Sequence, residues 1–63
     1  MKEFIATSNR QLGECIRLLS SYGLNGRFST TFNKKGHIVF HIWVDIDDAL
    51  YAELKMRYAC MIS

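Results

Sequence analysis

Proline is absent, cysteine occurs twice and tryptophan once, and the charges nearly cancel: eight lysines and arginines face six aspartates and glutamates over 63 residues. Each shortage excludes something. A proline-free chain that is 49% hydrophobic and 22% charged reads as a compact fold and not a disordered tail. A net charge of +2, with the basic residues scattered along the chain, is too weak to imply nucleic acid by itself. No apolar run approaches the roughly 20 residues needed to cross a bilayer, so no membrane segment is expected. Cys15 and Cys60 follow no recognisable secretory signal, which points to a reducing, cytoplasmic setting and argues against a disulfide. Neither has a cysteine or histidine at metal-ligand spacing, so both read as small buried apolar groups on helices. There is no glycine-rich phosphate loop, and no serine or cysteine lies beside a recognisable base motif. No enzyme, cofactor or metal is therefore expected.

What remains is a pattern of short amphipathic elements. Phe4–Thr7 reads as a first strand, and Ser8 as a helix N-cap with Gln11 completing a capping box. The helix places Leu12, Cys15, Ile16, Leu19 and Tyr22 on one stripe, and Gly23 stops it, with Leu24 set for the contact that accompanies such a stop. Arg27–Phe32 alternates as a strand, and Asn33-Lys34-Lys35-Gly36 turns the chain back. The run from Gly36 to Val44 reads as a second strand of that hairpin with two usable faces. Ile38, Phe40, Ile42 and Val44 lie on one face; His37, Val39, His41 and Trp43 lie on the other. Asp45 is expected to cap the last helix, with Asp47 and Asp48 in its first turn. That helix carries Ile46, Leu50, Leu54, Tyr58 and Met61 on one stripe. Ala49, Ala52, Met56, Ala59 and Cys60 form a second, which reads either as alanine chosen for propensity or as a packing seam.

The order strand–helix–strand–strand–helix predicts an α+β fold. Its three-stranded antiparallel sheet has the order 1-3-2, and two helices cover one face, as in a ferredoxin-like unit lacking its last strand. The outer edge of the first strand would then be unpaired.

His37 and His41, four residues apart on a strand, are separated by roughly 13 Å, too far to share a metal. The three aspartates near position 45 read as an acidic helix start and not as a carboxylate site. The strongest candidate is the helix-free sheet face, with Trp43, His41, Val39, His37 and Arg27 as binding residues. A chain this short buries only roughly 60% of its unfolded surface, so a partner chain is a natural source of added stability. The reading that follows is a protein-binding module, with a homodimer expected. The alternative is a single-strand nucleic-acid platform on the same face, built on Trp43, His41 and Arg27.

The segments FIATSN, LLSSYGL and HIWVDIDDALYAEL resemble a group of small bacterial signal-transducing domains that share this element order and a distant PII-like outline. The resemblance implies a regulatory role and supplies no site residues. In size and lack of catalytic motifs the chain is also similar to compact phage-encoded inhibitors of host proteins.

Overall fold

The computed structural model describes residues 1–63. They are ordered as β1 (Lys2–Ala6), α1 (Asn9–Ser21), β2 (Arg27–Phe32), β3 (Ile38–Val44) and α2 (Asp48–Ile62). The strands form one antiparallel sheet in the order β1-β3-β2. This is the α+β architecture expected from the alternation and periodicity of the chain.

Local chemistry explains the element ends. The Ser8 hydroxyl accepts from the Gln11 N–H at 3.2 Å, while Gln11 Oε1 reaches back to accept from the Thr7 N–H and the Thr7 hydroxyl. The reciprocal bond of the capping box is thus displaced by one residue, to Thr7. At the other end Gly23 takes φ +71°, its N–H donates to the Ser20 carbonyl, and the Leu24 N–H donates to Leu19 at 2.9 Å. That pair of bonds is a Schellman motif, which a glycine at this position allows without strain. In the hairpin the Asn33 carboxamide oxygen accepts from the N–H groups of Lys35 and His37, and Gly36 has φ +81°. β3 therefore starts at Ile38, later than alternation suggests. Gly36 is left-handed, and the His37 N–H is held by a side chain.

The first strand runs Lys2–Ala6 where the sequence predicts Phe4–Thr7, and one further boundary and one stripe differ from expectation. Asp47, not Asp45, caps α2: its carboxylate accepts from the Leu50 N–H at 2.8 Å, leaving only Asp48 in the first turn. Three aspartates in four positions offer competing caps, and the extended link through Asp45 lets Ile46 reach the core. In α1 the buried residues are Cys15, Leu18 and Leu19, whereas Ile16 and Tyr22 are 40% and 37% exposed. The buried face is rotated toward Leu18 because α2 lies along that side. Tyr22 instead crosses to α2, where its hydroxyl donates to Glu53.

The core consists of Phe4, Ala6, Cys15, Leu18, Leu19, Ile42, Val44, Leu54 and Tyr58. It lies between the helices and the β1–β3 half of the sheet. The ring of Phe4 meets Tyr51 and Tyr58 edge-on at 5.3 and 6.0 Å. The helix layer does not extend to the far strand. Every residue of β2 is exposed, and Phe28 and Phe32 remain 54% and 70% accessible although they point to the helix side. The expectation that both helices cover one face holds for only half of that face.

A helix-free sheet face as candidate functional site

The opposite face is set by strand register. Trp43 on β3 sits between Glu3 on β1 and Arg27 on β2; His41 sits between Ile5 and Ser29; Val39 lies opposite Thr31. Side chains at these positions point away from the helices, because alternation sends Ile42 and Val44 into the core. Trp43, His41 and Val39 are half-buried, Arg27 and His37 exposed, and Ile5 41% exposed beside them. Four of the five sequence-predicted residues therefore share one continuous surface. His37 lies at its end, where the hairpin turns and its backbone is tied to Asn33.

The rings of His41 and Trp43 stack at 6.4 Å with an interplanar angle of 13°. His41 also spans the sheet: Nδ1 lies 2.6 Å from Glu3 Oε2, and Nε2 lies 2.8 Å from Thr31 Oγ1. Both partners are diagonal neighbours across the strands, within reach of a long side chain. Sequence reasoning missed Glu3 and Thr31. The hairpin turn could have signalled Thr31, because it sets the β2–β3 register. Glu3 depends on the β1–β3 register, which no local motif encodes.

Carboxylate, imidazole and hydroxyl in a row is also the order of an acyl-transfer relay. Such chemistry needs spare donors aimed at a developing oxyanion, in a cavity that holds the substrate. Here β3 is the central strand and its N–H groups are committed to two ladders. The two concavities of the molecule lie elsewhere. One of about 540 Å³ is bounded by Leu18, Met56, Cys60 and Met61, and one of about 140 Å³ by Ile16, Leu19, Leu24 and Phe28. The three groups form a cross-tie that spans β1, β3 and β2 and holds the imidazole beside the Trp43 ring.

Charge around the site is mixed. Glu3 and Arg27 flank Trp43 from opposite sides, and Lys2 pairs with Asp48 at the sheet margin. The Lys2 ammonium holds Asp48's carboxyl below its usual range chiefly through their hydrogen bond, and the same bond raises Lys2 in turn. No group of three or more histidines, cysteines or carboxylates is placed to hold a metal. No helix is long and apolar enough to cross a membrane. No family model, curated protein or solved structure matches the chain.

Proposed function

We propose that this chain is a non-enzymatic protein-binding module that regulates or inhibits a partner protein, acts as a homodimer and works in the cytoplasm. The observation that carries this reading is the helix-free sheet face: Trp43, Val39 and Ile5 form an apolar centre framed by Glu3, Arg27 and His41. A pre-oriented tryptophan surrounded by polar groups is the arrangement that concentrates binding energy at protein interfaces. A regulatory role agrees with the resemblance to small signal-transducing domains, and an inhibitory one with the likeness to compact phage proteins.

The test compares proteins retained from lysate by the wild type and by Trp43→Ala, with circular dichroism confirming that both are folded. A specific partner should bind the variant more weakly by about 2 kcal/mol or more. A folded variant that keeps every wild-type partner at unchanged affinity would refute the assignment of this face.

One observation favours a second reading. The parallel His41–Trp43 stack with Arg27 beside it is a platform on which unstacked bases could lie. Single-stranded oligonucleotides would then quench Trp43 fluorescence, and added salt would reverse the effect. Constant emission across DNA and RNA oligonucleotides of mixed sequence would remove this alternative.

A further inference from the structure

The sheet has two edges, and they are not equivalent. In an antiparallel strand each residue's N–H and C=O point to the same side, and the side alternates along the chain. The Asn33 N–H bonds to the His37 carbonyl, so the odd-numbered residues of β2 face β3. The backbone groups of Phe28, Thr30 and Phe32 consequently face outward. By the same alternation β3 turns its even-numbered residues to β1, leaving Glu3 and Ile5 facing outward there. The β1 edge is guarded: the Tyr51 hydroxyl donates to the Glu3 carbonyl at 2.7 Å and Tyr58 to the Ile5 carbonyl at 2.8 Å. The β2 edge has no such cover. It also has no proline and no inward-pointing charge, the usual devices that keep an open edge from pairing.

We propose that the β2 edge is where a second copy of this chain docks, by antiparallel β2–β2 pairing about a two-fold axis at Thr30. This rests on the homodimer part of the reading above and assigns its surface. The edge of β1 is unpaired as expected, but its two outward carbonyls are occupied by the tyrosine hydroxyls, which leaves the β2 edge as the uncovered one.

Symmetry and side-chain alternation restrict the register. With Thr30 opposite its own copy, Phe28 faces Phe32, Ser29 faces Thr31 and Arg27 faces Asn33, so no like charges meet. The three outward residues become hydrogen-bonded pairs, each able to exchange two N–H···O bonds. A two-fold at Ser29 would instead set Phe28 against Thr30 and leave Phe32 opposite Gly26. The register at Thr30 also brings Phe32 of the second copy beside Phe28, which walls the 140 Å³ hollow with Ile16, Leu19 and Leu24. The half of the helix-side face left bare by α1 and α2 is thereby covered. From their exposures, Phe28 and Phe32 offer roughly 250 Å² of surface per copy. Those two side chains supply only part of the roughly 800 Å² per partner typical of a stable interface, the paired backbone and its other side chains adding the rest, so a weak and reversible dimer is expected.

Sedimentation across a wide concentration range tests this with three variants. Thr30→Pro removes an outward N–H that no ladder bond uses, a position where an edge strand accepts proline. Phe32→Lys charges the edge, and Trp43→Ala alters only the opposite face. The wild type should dimerise reversibly. Thr30→Pro and Phe32→Lys should each weaken the dimer at least about tenfold with circular dichroism unchanged, while Trp43→Ala keeps it. Amide exchange at Phe28, Thr30 and Phe32 should slow as concentration rises, while exchange at Glu3 and Ile5 does not change. Should one variant misfold, the other variant and the wild-type exchange pattern decide. A dimer that both edge variants preserve, or that only Trp43→Ala breaks, overturns β2 pairing and leaves dimerisation standing. A wild type that is monomeric throughout overturns both, while partner binding through Trp43 is judged separately.

Discussion

Cys15 and Cys60 show how far environment separates identical residues. Cys15 has no exposed surface, and burial pushes its thiol up to about 11, from 9.0. Cys60 lies exposed on α2. The expectation that both would be buried therefore holds only for Cys15. Burial also raises the Tyr58 hydroxyl, with Cys15 as a secondary cause. Groups whose folded pKa is raised favour the fold while protonated. Their contribution is complete below pH 9 and is lost as pH climbs toward 11. For Cys15 this amounts to about 2 to 3 kcal/mol. Urea midpoints measured at pH 8 and at pH 10.5 should show the loss, and Cys15→Ala should flatten it. An equally steep decline in that variant would assign the effect to other groups.

At the scale of elements, α2 shields β1 as well as covering the core. Tyr51 and Tyr58 lie seven residues apart, two turns on one side of the helix, so both hydroxyls reach alternate carbonyls of the same strand edge. Replacing both by phenylalanine keeps the rings around Phe4 and removes only the hydroxyls. Each loss should cost about 1 kcal/mol. The double variant should also associate beyond a dimer, since a chain with two open edges can continue a sheet without closing it. Sedimentation that shows no species larger than the wild type forms would mean that the hydroxyls stabilise the edge without guarding it.

For the whole molecule, size sets the vulnerability. Nine residues make the core, and Leu54 is fully buried where α2 meets the sheet. Leu54→Ala should cost about 2 to 5 kcal/mol, comparable to all the stability that a core this small supplies. Thermal denaturation followed by circular dichroism should find that variant largely unfolded at 25 °C. A cooperative transition close to that of the wild type would show that stability comes from elsewhere, with the proposed dimer the first place to look.

Much of this was legible in the chain because it depends on neighbours in sequence. Ser8 and Gly23 bracket α1, Asn33 and Gly36 close the hairpin, and alternation in β3 separates Ile42 and Val44 from His41 and Trp43. Each follows from backbone sterics or hydrogen bonds spanning a few residues. The rotation of α1 toward Leu18, the Glu3–His41–Thr31 tie, the guarding of β1 and the bare half of the sheet at Phe28 and Phe32 were decided only in three dimensions. The tie depends on the β1–β3 register, which joins residues 38 positions apart; the others depend on where α2 comes to rest against residues some fifty positions earlier in the chain, a placement settled by packing that no local pattern encodes.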